Sequence, residues 1–410
     1  MAKKFIILKF GGTSLKTAEL REKVAQKIIN TFESGYQPVV VVSAIGRKGD
    51  PYATDTLLNF AYEVNRDLPP READLLMACG EIISGVIMVN TLAKMGYKAK
   101  LFTGAQAGII TDDNFTSASI LKVKADKILK AVDEGFIPVV CGFQGVTEDG
   151  EVTTLGRGGS DTTAAALGVA LKAEFIDIYT DVEGIKTADP RIVEDAKTLE
   201  VVTYNEISQL AHEGAKVIHP RAVEIAMQKN IPLRIKSTLT DGEGTLVTSH
   251  AEVYGEVIEV IRDRIITGIA HIPGVTQIKI LREDTPEIVN LAQKVFKGLA
   301  LAEISVDFIN ISPEGLAFTV KGEVTEKAVD VLENMGFTPR IRRNCAKIAA
   351  VGAGMTGVPG VMAKIVEALT REQIEILQST DSYTTIWVLV DGENMEKAVR
   401  AIHKAFKLNE

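Results

Sequence analysis

At 410 residues the chain is too long for one compact core, and at roughly 150 residues per domain it should divide into two or three. Its 46% hydrophobic, 24% charged and 6% aromatic residues lie near globular averages, which excludes a disordered or fibrous chain. A formal charge of −8 disfavours nucleic acid as the main partner, because a phosphate backbone needs a basic face.

The N-terminal MAKKFIILKF has neither an apolar signal region nor a small-residue cleavage site. Apolar runs such as PVVVVSAI from Pro38 stay well short of the roughly 18 residues that cross a bilayer, so no membrane partner and a cytoplasmic location are expected. Cys79, Cys141 and Cys345 are odd in number and set in apolar surroundings, which suits buried thiols in a reducing compartment.

Strands are predicted in chain order at FIILKF (5–10), PVVVVSA (38–44), KAKLF (98–102), IPVVCGFQG (137–145), FIDIYTD (175–181) and IPLRIK (231–236). These runs alternate little, as buried strands covered by helices on both faces do, and imply a three-layer α/β domain with a mainly parallel sheet over 1–245. Between the first two, AELREKVAQKIINTFESG repeats apolar residues at Leu20, Val24, Ile28 and Phe32 and stops at Gly35, a helix with one buried stripe. DGEGTLVTSHAEVYG (241–255) breaks the rhythm, and a linker is placed at 246–262.

Beyond it the sequence repeats at an offset of 70 residues: ISVDFINI (304–311) aligns with IEILQSTD (374–381), LAFTV with IWVLV, and EKAV (326–329) with EKAV (396–399). Each copy reads strand, helix, strand, strand, helix, strand, giving two ferredoxin-like βαββαβ modules at 263–343 and 344–410, whose strands can interleave.

Four segments carry chemistry. KFGGTS (9–14) closes the first strand and opens the first helix, where Phe10, Gly11 and Gly12 can bring backbone N–H groups to phosphate oxygens and Lys9 adds a full charge. The alternative is a plain strand-to-helix turn; G-x-x-x-x-G-K-[ST] is absent, so a P-loop is excluded. TTLGRGGSDTTAAALG (153–168) packs Arg157, Ser160 and Asp161 before an alanine-rich helix. Arg157 can grip a carboxylate with two bonds, while Asp161 either caps the helix or fixes cations around a phosphoryl group. TDVEGIKTADPR (180–191) offers Asp181, Lys186, Asp189 and Arg191, either as a ligand loop or as a solvated charged one. Glu81 in CGE can accept an ammonium group or serve as a first-turn acid.

KFGGTS, VSAIGRKGDPYATDTLL, CGE, TGAQAG, GFQG, TTLGRGGSDTTA, YTDVEGIKTADPR and GAKVIHPRAVEIA occur in the order and spacing of the aspartate kinases, which the chain resembles over its whole length, paired C-terminal ACT modules included. VSAIGRKGDPYATDTLL is most similar to the diaminopimelate-responsive Gram-positive members. The resemblance implies transfer of the ATP γ-phosphate to aspartate, opening the route to lysine, diaminopimelate, threonine and methionine. Lys9 and Lys216 would neutralise the moving phosphoryl group and Asp161 would organise both. Arg157 and Glu81 would hold the aspartate, with Ser43, Thr54 and Ser160 as polar contacts. Thr180, Asp181, Lys186 and Arg191, with Lys9, Phe10, Gly11, Gly12 and Lys216, would bind ATP.

Mg²⁺ would arrive with the nucleotide, with no dedicated protein metal site. An amino-acid effector (lysine, threonine or diaminopimelate) would bind the ACT modules, with Asp284, Asn310, Val361, Met362, Ser379 and Thr380 as its contacts by motif position. No methionine lies between Met227 and Met335 to start a shorter second subunit, so a homodimer or homotetramer is favoured. Two rivals remain at this point: a relative phosphorylating glutamate, carbamate or a nucleoside monophosphate, and a catalytically silent amino-acid sensor.

Overall fold

The computed structural model describes the chain apart from residues 1–2, 216, 250–251, 254–255, 258–264, 282–290, 353–354 and 356–357. It falls into two compact units, one of residues 1–185, 198–211 and 216–262, the other of 186–197, 212–215 and 263–410.

The first unit holds strands β1 (Phe5–Phe10), β2 (Gln37–Val42), β3 (Ala99–Phe102), β4 (Ile109–Thr111), β5 (Ile120–Val123), β6 (Ile137–Cys141), β7 (Gln144–Val146) and β8 (Val152–Thr154). These are followed by β9 (Phe175–Thr180), β10 (Val201–Thr203), β11 (Leu233–Ser237), β12 (Thr245–Thr248) and a short hairpin, β13 (Glu252–Val253) with β14 (Glu256–Val257). Its helices are α1 (Ala18–Glu33), α2 (Thr54–Tyr62), α3 (Pro70–Lys94), α4 (Asp126–Asp133), α5 (Gly159–Leu171), α6 (Tyr204–His212) and α7 (Pro220–Met227).

The main sheet runs β10-β12-β11-β9-β1-β2-β6-β3, and every pairing in it is parallel except β11 with β12. A second sheet, β5-β4-β7-β8, stands apart. Alternation along β1 sorts its side chains: Ile6, Leu8 and Phe10 pack with Val24 and Ile28 of α1 and with Met88 and Leu92 of α3. Lys9 therefore points to the opposite face, where α5 lies against β1 and β9. Burying each of these apolar side chains contributes about 1.5–3 kcal/mol.

α3 is 25 residues long, and by length and composition it would pass for a membrane span. Here it is a core helix that packs on β2, β3 and β6 and buries Asp74, Glu81 and Ser84 among its apolar residues. Its outer face carries Leu75, Cys79, Ile82 and Val86, so Cys79 is exposed, contrary to the expectation of a buried thiol; Cys141 and Cys345 are buried. Burial pushes the Cys141 thiol up to about 12.

Two boundaries differ from expectation. Thr245–Thr248 pairs with β10 and β11 inside the main sheet, so the linker does not begin at 246. Residues 186–197 belong with the second unit because Ala188, Ile192, Val193 and Ala196 pack into its core beside Ile269 and Ile348. Thr187 supports this with its carbonyl, which accepts from Ile269 N at 2.8 Å, and with its hydroxyl, 2.9 Å from His403 Nε2.

The rest of the second unit is one six-stranded sheet. It comprises β15 (Gly268–Leu281), β16 (Asp307–Ser312), β17 (Gly315–Lys321), β18 (Arg340–Val351), β19 (Gln378–Asp381) and β20 (Thr385–Asp391), with helices α8 (Leu291–Leu301), α9 (Thr325–Asn334), α10 (Val361–Arg371) and α11 (Met395–Ala405). The order β16-β17-β15-β18-β20-β19 puts β15 and β18 side by side at the centre. Val275–Leu281 of β15 pairs with β17, while Gly268–Ile272 pairs with Lys347–Val351 of β18, and that stretch in turn pairs with β20. The repeats are interleaved, and a cut at 343/344 falls inside β18.

Candidate active site

The carboxyl ends of β1 and β2 and the start of α5 enclose a cavity of about 550 Å³ lined by Lys9, Ser43, Thr54, Glu81, Arg157, Ser160 and Asp161, together with Gly12, Arg47 and Lys48. Seven side chains singled out from the sequence thus share one space. Gly12 is required sterically: a Cβ there would lie 2.3 Å from the Ala44 carbonyl oxygen and 2.5 Å from that of Gly46. The turn it opens is a single 3₁₀ turn, Gly12–Leu15, and α1 begins only at Ala18, so KFGGTS does not run directly into the first helix.

Lys9 reaches across to Asp161, with Nζ 2.7 Å from Oδ1 and only 13% and 12% of the two side chains exposed. Asp161 Oδ2 also accepts the backbone N–H of His219 at 3.3 Å. The capping alternative for Asp161 is overturned: Gly158, in the left-handed region at φ 70°, takes the N-cap position, and Asp161 sits in the first turn with its carboxylate turned to Lys9. Lys216, the other proposed phosphate-neutralising cation, lies outside the described residues.

Glu81 lies mid-helix in α3, not in a first turn, so it is no helix-dipole acid. It is 2% exposed; Oε1 accepts the Ala44 N–H at 3.0 Å, while Oε2 is buried with no hydrogen-bond partner among the described residues. Burial pushes its carboxyl from an ordinary 4.5 up to about 8, against the opposing pull of the Ala44 N–H. An unpaired, buried carboxylate oxygen facing a cavity is a receptor for a donor, and an ammonium group would satisfy it.

Arg157 is exposed at the cavity wall, and no described side chain engages its guanidinium. Arg47, which the sequence reading passed over, lines the cavity and pairs with Asp181 at 2.7 Å; the basic pair in IGRKGD was its only signal. Thr180 closes β9, and its hydroxyl donates to Asp181 at 3.1 Å. Phe10 is fully buried and stacks on Tyr179 with centroids 4.7 Å apart, so its side chain faces the core, not the cavity. Lys186 and Arg191 lie in the segment that belongs to the second unit, where Arg191 donates to Asp189 and holds its carboxyl below the usual range.

In the second unit, Asn310 and Ser379 line one cavity of about 310 Å³ with Lys279, Ser312 and Gln378. Thr380 is exposed on β19, while Val361 opens α10 and is buried in the core with Met362 packed against it. Asp284 lies outside the described residues.

Residues 4–237 match the amino acid kinase family and residues 340–404 match the ACT domain. Aspartokinase 1 of Bacillus subtilis is 53% identical over 99% of this chain and 100% of its own length. The aspartokinase of Geobacillus stearothermophilus is 38% identical over 99% and 98%. A crystal structure of E. coli aspartokinase III in complex with aspartate and ADP superposes with a TM-score of 0.79 at 25% identity, covering 98% of this chain and 99% of that one. Aspartate kinase from Clostridium acetobutylicum gives a TM-score of 0.78 at 25% identity, over 98% and 100%. With this site, this sheet and relatives matched end to end, the chain belongs to the aspartate kinases, which move phosphate from ATP to the side-chain carboxylate of aspartate, and its ACT domain fits allosteric regulation.

Proposed function

We propose that the 550 Å³ cavity is where aspartate meets the γ-phosphate, with each lining residue in a distinct role. The carrying observation is that one space holds both a cation fixed by a carboxylate, Lys9 on Asp161, and a buried carboxylate with an unfilled oxygen, Glu81. Glu81 receives the aspartate ammonium group, Arg157 its α-carboxylate, and Ser43, Thr54 and Ser160 supply polar contacts. The side-chain carboxylate is ionised at neutral pH, so it attacks phosphorus without a general base, the γ-phosphorus–oxygen bond to ADP breaks, and ADP leaves.

Lys9 stabilises charge on the phosphoryl oxygens, and Asp161 keeps its ammonium in place at no cost of reorganisation. Lys216 is assigned the same task, and Thr180, Asp181, Lys186 and Arg191 the nucleotide. Among the described residues no group of three or more His, Cys, Asp or Glu could hold a metal. Mg²⁺ would be carried on the ATP phosphates, where it would neutralise charge.

The second unit is read as two ACT modules, at 263–343 and 344–410 with β15 and β18 shared, that bind lysine, threonine or diaminopimelate. The cavity holding Asn310 and Ser379 supports an effector there. A homodimer or homotetramer in the cytoplasm completes the reading. The test is a hydroxamate assay for aspartyl phosphate run with each amino acid separately and together. Aspartyl phosphate without inhibition by any of them would retain the kinase and remove the effector assignment.

A further inference from the structure

Asp74 is fully buried on α3, and three donors make four contacts to its two oxygens. Thr116 N lies 3.1 Å from Oδ1 and 2.9 Å from Oδ2, Thr154 N donates to Oδ2 at 2.9 Å, and the Thr154 hydroxyl donates to Oδ1 at 2.6 Å. Both oxygens are thereby engaged, each by more than one contact, and every donor is a backbone N–H or a hydroxyl. The donors come from the 112–119 loop and the end of β8, far from α3 in sequence. Arg221 holds the same strand from the other side, its guanidinium donating to Leu155 O at 3.0 Å and Ala118 O at 2.9 Å. Thr154 O in turn accepts from Ala118 N at 2.8 Å.

Two placements give this tie a meaning. Arg157 follows Thr154 by three residues, so the pinned strand end delivers its guanidinium to the cavity. Glu81 follows Asp74 by seven residues, two turns along α3 on the same buried face. One carboxylate therefore locks the strand that presents Arg157 to the helix that presents Glu81.

We propose that Asp74, acting through Thr154, is a positioning residue for aspartate binding: it fixes the spacing of Arg157 and Glu81. The inference rests on the reading of Arg157 and Glu81 as the aspartate grip. A small change in that spacing weakens aspartate and leaves the nucleotide alone, because Thr180 closes β9 and Asp181 follows it, outside the tie.

The test compares D74N, T154V, T154S and R157A by steady-state kinetics in both substrates, with thermal unfolding as a check on the fold. D74N and T154V are expected to raise the KM for aspartate on the order of tenfold or more, with the KM for ATP within about twofold of wild type. T154S keeps the hydroxyl and should recover most of the loss seen in T154V. Equal changes in both KM values, no change in either, or T154S behaving like T154V would overturn the proposal. Where D74N fails to fold, the T154V and T154S pair decides. An unchanged KM for aspartate in R157A would remove the reading beneath the proposal and the proposal with it, whereas a raised value beside a silent T154V sinks the positioning role alone.

Discussion

The two ends of the catalytic cavity handle charge in opposite ways. At one end Asp161 and Lys9 are already neutralised by one another at 2.7 Å, so that end is complete before any ligand arrives. At the other, Glu81 is buried more deeply still but only half satisfied, and its carboxyl is raised to about 8. The difference teaches which part of the reaction each end serves. A pre-paired cation offers the same field throughout and acts on the charge that develops in transfer, whereas an unpaired carboxyl waits for a partner and acts on binding.

The largest effect should come from removing the paired cation. K9A is expected to lower kcat on the order of a hundred- to a thousandfold with the KM for aspartate little changed, as measured by coupled ADP release. Near-normal kcat would erase the contrast. E81Q should act at the other end, lowering kcat/KM for aspartate by roughly ten- to a hundredfold, chiefly through KM. Its pH signature is separate from its kinetics. Because the folded value lies above the ordinary 4.5, the stability Glu81 lends unliganded enzyme is complete below that value and is lost as pH rises through about 8. Wild type should therefore lose melting temperature relative to E81Q over that interval. Aspartate binding near neutral pH should release a proton in wild type and none in E81Q, read by calorimetry in buffers of different ionisation enthalpy. G12A acts on stability and only indirectly on turnover, costing about 1–3 kcal/mol, because its Cβ presses on the Ala44 and Gly46 carbonyls, and the Ala44 N–H holds Glu81. A loss of stability with aspartate affinity intact would show that the two ends are independent of this turn.

The sequence made the sheet and its ligand edge readable because buried parallel strands leave unbroken apolar runs: β1, β3, β6 and β9 lie within predicted stretches, and β2 and β11 overrun theirs by one residue each. The repeat was readable for a similar reason: α8 and α10 stand 70 residues apart, as do the starts of β17 and β20. The small sheet β5-β4-β7-β8 escaped notice because strands of three or four residues are too short to show a period. Glu81 reads as an acid before a helix because the residues ahead of it, Cys79 and Gly80, are small. In the structure that glycine sits mid-helix, since a Cβ there would come within 2.7 Å of Ala44 Cβ. Asp74 and Arg221 gave no local signal at all, because every group they hold is distant along the chain. The interleaving of β15 and β18 is likewise a matter of pairing, which a repeat in the sequence does not encode.

That shared pair of strands sets a limit on how the regulatory half can come apart. β15 and β18 each contribute to both halves of the six-stranded sheet, so the unit that was duplicated is not the unit that folds. Proteolysis or gene fission at the midpoint would release two fragments that each lack a central strand, and a shift in one half must bend a strand belonging to the other.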